Sequence, residues 1–177
     1  MMGYPAGEAD DSRIRKKGDA MKRAKEKKVC FISSSGGHWE QLLMLRPLME
    51  KYPSFLVTEK TGYSVKTNGQ KVYYLRQVNR KEKAFPFLLL WNAFLSLRIL
   101  ILERPDVVIT TGALAVIPLC LLAKLFGKKL VYIESFAKIT TPNLSGKFLY
   151  RYTDRFYVQW ESMLKVYPNA IWLGGIY

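Results

Sequence analysis

The sequence predicts an α/β fold: one domain built on a mostly parallel sheet with helices over both faces. Three observations carry this. Short apolar runs of strand length alternate with helix-patterned segments roughly every 20–30 residues. Two of these runs end in glycine turns that open straight into helical patterns, at Ser33–His38 and at Thr110-Thr111-Gly112. A chain of 177 residues with 49% hydrophobic content is long and apolar enough to bury a core as one domain.

Residues 1–28 carry nine Lys/Arg against five Asp/Glu and few apolar side chains, so they read as a disordered basic tail. The first apolar run starts at Val29, which is not the pattern of a secretory leader. The ordered domain is expected over 29–177. Val29–Ser34 is its first strand. Behind it Trp39, Leu42, Leu43, Leu45, Met49 and Tyr52 recur at helical spacing. Pro47 should kink or restart that helix, because it lacks an N–H and crowds the preceding turn. Ser54–Thr58 is a second strand, 59–70 a polar loop, Lys71–Leu75 a third strand and Arg76–Lys83 a basic loop. Phe85–Leu102 reads as a long apolar helix stopped by Pro105-Asp106, and Asp106–Thr110 as a fourth strand. A helix over Ala113–Phe126 ends at Gly127, the residue type that closes helices in the left-handed conformation. Lys129–Ile133 is a fifth strand. A helix is expected to start at Thr140–Pro142 and run to about Tyr152. Asp154–Val158, a short helix Glu161–Tyr167 and a last strand Ala170–Leu173 complete the pattern.

Right-handed crossovers put every strand-to-helix turn of such a sheet on one edge, where ligands bind. Ser34–His38, Thr111-Gly112 and Glu134-Ser135 are therefore expected to converge. The first turn lacks the three-glycine spacing of a dinucleotide fingerprint and the Gly-Lys-Ser/Thr of a phosphate-binding loop. It offers the hydroxyls of Ser34 and Ser35, close backbone approach at Gly36 and Gly37, and His38 at the helix start. A helix dipole opposes charge on such a histidine. His38 either serves a phosphate or a hydroxyl proton, or it caps and packs. Glu134 either orients a sugar hydroxyl or acts as a base, or it braces its loop. Without a second carboxylate at a pairing distance, a two-carboxylate glycosidase has no support.

The net charge is +14, of which about +10 belongs to the expected domain. That suits nucleic acid, anionic lipid or a phosphorylated substrate. No nucleic-acid recognition motif is present, so nucleic acid is not expected as a partner. Cys30 and Cys120 lie in apolar runs without paired spacing and read as buried thiols. With a single histidine and no cysteine cluster, neither a metal site nor a cofactor is expected.

Phe85–Leu102 is near the lower length limit for crossing a bilayer, and Arg98 near its middle would be expensive there. It is open to three readings: a buried crossover helix, a span, or a helix docked in one leaflet through Phe85, Phe87, Leu88, Trp91 and Leu95. The basic loop before it supplies Arg80 as a candidate phosphate contact. Basic side chains leading into aromatics suit a lipid diphosphate at a membrane surface, and the apolar length of the helix favours lipid over RNA.

An ordered set of motifs adds a resemblance. Ser34-Ser35-Gly36-Gly37-His38, Glu103-Arg104-Pro105-Asp106-Val107-Val108-Ile109, Thr111-Gly112-Ala113, Tyr132-Ile133-Glu134-Ser135, Thr153-Asp154-Arg155-Phe156, Val158-Gln159-Trp160-Glu161 and Leu173-Gly174-Gly175-Ile176-Tyr177 resemble the Alg-fourteen-like family. In bacteria that family includes capsule and exopolysaccharide proteins of the PssD and CpsF type. The chain is also similar to the N-terminal half of MurG, a GT-B glycosyltransferase. The resemblance implies a single Rossmann-like domain equivalent to that half. It implies the acceptor-binding, membrane-associated subunit of a two-component enzyme, acting on a polyprenyl-diphosphate-linked saccharide at the cytoplasmic face of the membrane. A small partner of the Alg-thirteen, PssE or CpsG type would bind the UDP-sugar. Carried onto this sequence, Gly36, Gly37 and His38 would approach the acceptor, Gly112 would belong to a second acceptor turn, and Glu134 would be the strand-end glutamate. Two features depart from the pattern. A charged tail stands where eukaryotic members have a membrane helix, and Ser35 stands where MurG-like turns have more glycine.

Overall fold

Alternating side chains along the strands explain the two cores of the computed structural model, which describes residues 27–62, 67 and 69–177. The expected tail, save Lys27 and Lys28, lies outside these residues. In the first strand, β1 (Val29–Ser33), Val29 and Phe31 face one side while Cys30 and Ile32 face the other. Each set must be covered, so helices lie on both faces.

Seven strands pair throughout in parallel, in the order β3-β2-β1-β4-β5-β6-β7. Besides β1 they are β2 (Ser54–Glu59), β3 (Val72–Leu75), β4 (Val107–Gly112), β5 (Lys129–Ile133), β6 (Arg155–Val158) and β7 (Ile171–Trp172). On one face lie α1 (Gly37–Leu43) and α2 (Arg46–Lys51); their Trp39, Leu42 and Met49, with Leu45 between the helices, pack on Phe31 and Leu56. On the other lie α3 (Phe85–Glu103), α4 (Ile117–Leu125) and α5 (Leu144–Leu149), over Cys30, Ile32, Phe55 and Val57. The side changes where the strand order reverses, between β1 and β4.

Pro47 restarts the first helix as expected, sitting in the first turn of α2. Two helix starts differ from the sequence reading. The chain after β4 does not enter an α-helix at Ala113, which is held at φ 103. A 3₁₀ turn Leu114–Val116 intervenes, and α4 begins at Ile117 with Pro118 in its first turn. The helix expected at Thr140–Pro142 begins at Leu144 instead. Asn143 caps it by accepting from Ser145 N, which leaves Pro142 outside, and a 3₁₀ turn carries it to Tyr152. Gly127 closes α4 at φ 69 as expected.

Polar contacts pin α3 near its middle and at its C-terminal end. Asn92 is fully buried and clamps the backbone of Arg76, accepting from its N–H and donating to its C=O, each at 2.8 Å. At the C-terminal end Glu103 accepts from Lys28, Lys71 and Tyr73. Burial alone would raise the Glu103 pKa, but those three donors hold it at about 2, below the ordinary 4.5. A depressed carboxylate pKa contributes stability that is complete above pH 4.5 and is lost as the pH falls toward 2. Glu103→Gln is expected to lower Tm at pH 7 by about 4–8 °C, for about 2 kcal/mol lost. It should also flatten the fall in Tm between pH 5 and 2 seen by thermal denaturation of the wild type.

Candidate active site at the carboxyl edge of the sheet

The three predicted segments meet at the carboxyl ends of the central strands. Beyond β1 the chain turns through Ser34 and Ser35 to Gly36, which adopts φ 75 and caps α1. The Gly36 carbonyl accepts from Trp39 N and Glu40 N at 2.9 and 3.1 Å. The positive φ is the reason for a glycine there. A Cβ at Gly36 or Gly37 would meet nothing within 4 Å, so this turn faces open space. Ser34 is buried, with its hydroxyl toward the Ser35 carbonyl.

Thr111 ties the second turn to the first, donating from Oγ1 to the His38 carbonyl at 2.8 Å. It is fully buried, as is Gly112 beside it. Gly112 sits at φ 97, and a Cβ there would overlap Tyr132 Oη. Thr111 and Gly112, expected from the sequence as acceptor contacts, are buried here. They lie beneath the open turn and hold it, because backbone at the end of a central strand is covered by the next layer.

His38 is half-buried, and its Nδ1 is enclosed without a hydrogen-bond partner. Burial lowers its pKa below the ordinary 6.5, against a hydrogen bond with the Thr111 backbone that raises it, and nearby Lys138 lowers it further. The shift favours the neutral imidazole.

Glu134 is placed differently. Its side chain is fully buried, with Oε1 accepting from Ser135 N at 2.9 Å. Oε2 accepts from Tyr167 Oη at 3.0 Å and Asn143 N at 3.3 Å. Burial raises its pKa, and these donors oppose the rise. Of the two sequence readings, the geometry matches the brace: the carboxylate points inward and fastens the loop 135–143. Gly146 exists beneath it because a Cβ would overlap Oε2.

A second buried carboxylate, Glu59 at the end of β2, underlies the first turn. It takes a hydrogen bond from Ser35 Oγ at 3.4 Å and further ones from the Ser35 and Val78 backbones. Burial raises its pKa. The Val78 contact brings the basic loop beside the glycine turn, and Arg80 stands exposed two residues further on. The sequence signal for Glu59 is its position directly after an apolar strand, the same signal that marks Glu134. Gln41 and Gln159, buried at this edge, carry no such signal.

The candidate membrane residues divide. Phe87, Leu90, Trp91 and Phe94 are exposed along one side of α3, Phe87 by 76% and Leu90 by 71%. Phe85 and Leu88 are half-buried. Leu95 is half-buried too and packs against the core from the side of the helix toward the sheet. Ser96 and Asn92 are fully buried, alongside Ile99 and Leu100, so the inner side of this helix mixes polar and apolar residues while its aromatics Phe87, Trp91 and Phe94 face out. Among the described residues α3 is the one helix long and apolar enough to cross a membrane, with mean hydropathy 1.9. No group of three or more His, Cys, Asp or Glu among them could hold a metal ion.

Comparison with known proteins adds the family. A family model described as "Oligosaccharide biosynthesis protein Alg14 like" matches residues 29–176. The rat protein named UDP-N-acetylglucosamine transferase subunit ALG14 is 28% identical over 177 residues, covering 84% of this chain and 82% of its own. The fission yeast protein of that name is 36% identical over 119 residues, 63% of this chain and 57% of its own. Among solved structures, Acinetobacter baumannii MurG superposes with TM-score 0.64 at 20% identity, over 77% of this chain and 42% of that one. UDP-GlcNAc 2-epimerase from Methanocaldococcus jannaschii gives TM-score 0.64 at 13% identity, over 84% and 45%. At such identities these structures show the fold: a Rossmann-like domain matching half of the two-domain GT-B architecture. The chain spans less than half the length of either solved chain.

The two glycine turns should respond differently to an added methyl. Gly37→Ala is expected to leave Tm within about 2 °C, whereas Gly112→Ala should cost about 2–4 kcal/mol through overlap and a strained φ. Thermal denaturation of the two variants checks this.

Proposed function

The chain belongs to the Alg14-like family of oligosaccharide biosynthesis proteins, and on that premise we propose that it is the acceptor-binding subunit of a two-component UDP-sugar glycosyltransferase. Its acceptor would be a polyprenyl-diphosphate-linked saccharide for a capsule, exopolysaccharide or related oligosaccharide. The observation that carries this is the match, along most of both chains, to proteins named as transferase subunits. Their names supply N-acetylglucosamine as the first donor sugar to test. A small partner of the Alg-thirteen, PssE or CpsG type would hold the UDP-sugar.

The edge geometry supports an acceptor site. The exposed Gly36-Gly37 backbone and the neighbouring basic loop with Arg80 would receive the diphosphate. In the transfer a bond forms from the acceptor hydroxyl oxygen to C1 of the sugar, and the bond from C1 to UDP breaks. The hydroxyl proton then needs a base, and His38, at the start of α1 beside the turn, would take it. Glu134 would act as a positioning residue, by keeping the loop 135–143 in place. His38→Gln is expected to reduce partner-dependent transfer to lipid-linked acceptor by about 100-fold or more. Because burial lowers the His38 pKa, the acid limb of the wild-type profile should lie below pH 6.5 and vanish in the variant. Transfer at an unchanged rate in His38→Gln would mean that the chain only recruits and positions an active partner. Full transfer by the single chain would overturn the two-component reading.

For the membrane we propose that α3 lies in the interface at the cytoplasmic face. Its exposed aromatics would enter one leaflet, with Arg80, Lys81 and Lys83 at anionic headgroups. The clamps at Asn92 and Glu103 support a helix that stays on its sheet rather than one that crosses. Phe87→Ser with Trp91→Ser should reduce co-sedimentation with anionic vesicles about tenfold or more, at unchanged Tm. Undiminished binding by that variant would remove α3 as the docking element.

A further inference from the structure

One carbonyl at the carboxyl edge joins three parts of the chain. Glu134 O accepts Gln41 Nε2 from α1 at 3.1 Å and Gln159 Nε2 from just beyond β6 at 2.8 Å. Both lone pairs of that oxygen are thereby occupied. The other end of each amide is also engaged. Phe136 N donates to Gln41 Oε1 at 3.4 Å, and Ile176 N donates to Gln159 Oε1 at 3.1 Å. Both glutamines are buried. An unbroken line of hydrogen bonds thus runs from the backbone of Ile176, through Gln159 and across the Glu134 carbonyl, into Gln41. Gln41 lies one helical turn after His38, on the short helix that the glycine turn opens.

The outer end of the line is packed. Phe136 meets Trp160 at 4.9 Å and Tyr177 at 5.0 Å between ring centroids. A Cβ on Gly175 would press on the Phe136 ring at 3.3 Å. Trp160 Nε1 donates to the Phe136 carbonyl at 2.7 Å. Glutamine suits both relay positions because one side chain carries a donor and an acceptor. Glutamate would set an oxygen against the carbonyl, and methionine would fill the space with neither.

We infer that Gln159 and Gln41 are positioning residues that tie the C-terminal segment Gly174–Tyr177 to the Gly36–His38 turn, so that the acceptor site is set by where that segment lies. This rests on reading the turn as the acceptor site. A displacement of Ile176 releases Gln159, leaves the Glu134 carbonyl with one donor, and loosens the hold on α1.

Two measurements on the full chain test this. The first is amide exchange at Trp39–Leu43 in Gln159→Met, Gln159→Glu and the control Asp154→Asn. Asp154 lies before β6, where it pairs with Lys124 and Lys129. Both Gln159 variants should exchange about fivefold faster at those amides, while the control should lower Tm without changing them. If Gln159→Met does not fold, Gln159→Glu carries the comparison, since it keeps the acceptor for Ile176 N. The second is transfer kinetics with the UDP-sugar-binding partner. The acceptor KM should rise about fivefold with the donor KM unchanged, and Gln41→Met with Gln159→Met should be no worse than Gln41→Met alone. Unchanged exchange at Trp39–Leu43 overturns the relay whatever the transfer assay shows. A wild-type pair without transfer overturns the functional reading, and the exchange result still decides the relay.

Discussion

The parallel pairing of β1 with β4 is the constraint on which the rest of this structure depends. It joins Val29–Ile32 to Val107–Thr110, and its register shifts at Ser33, which faces Gly112. Two turns distant in sequence are thereby placed side by side. It is also where the strand order reverses, so α1 leaves for one face while α3 and α4 cover the other. Chain leaving adjacent strand ends in opposite directions opens a crevice at the carboxyl edge. Thr111 closes the floor of that crevice by bonding the His38 carbonyl. The exposed glycine turn, His38 and the braced loop at Glu134 all stand on this junction.

Helix α3 shows how burial and composition can part company. Core-facing helices ordinarily turn apolar residues inward. Here Asn92, Ser96 and Glu103 face the protein, while Phe87, Leu90, Trp91 and Phe94 face out. Asn92 and Glu103 are satisfied by the backbone of Arg76 and by the Lys28, Lys71 and Tyr73 side chains. These contacts add directional attachment to the apolar packing of Ile99 and Leu100 on the core.

The carboxylates at the carboxyl edge follow the same economy. Glu59 and Glu134 each end an apolar strand, and each is drawn inward to accept hydrogen bonds from a loop. Loops at the ends of central strands carry backbone N–H groups that must find acceptors. A carboxylate with two oxygens can serve several of them at once. That is why Glu134 and Glu59 stand here as braces, while the Gly36-Gly37 backbone at the same edge is left exposed.

Strand and helix periodicity, the Pro47 restart, the Gly127 close and the glycine turn at Gly36-Gly37 were all legible in the chain, because each depends on residues within a few positions of one another. So was the convergence of three segments at one edge, since crossover handedness leaves little choice. The start of α5 at Leu144 was missed because a cap by Asn143 competes with a Pro signal of similar strength. Burial of Cys30, Cys120 and the apolar face of α1 was legible, but the direction of several site side chains was not. Whether Glu134 faces a crevice or a tyrosine, whether Gly112 admits a ligand or Tyr132, and whether Leu95 meets solvent or core depend on neighbours 20 or more residues away in several cases, as with Glu134 and Tyr167. Gln41 and Gln159 are ordinary polar residues until the sheet brings both to one carbonyl. The opening glycine turn is thus written in local sequence, but the structure that holds it exists only once distant strands have paired, because hydrogen-bond partners are supplied by the fold.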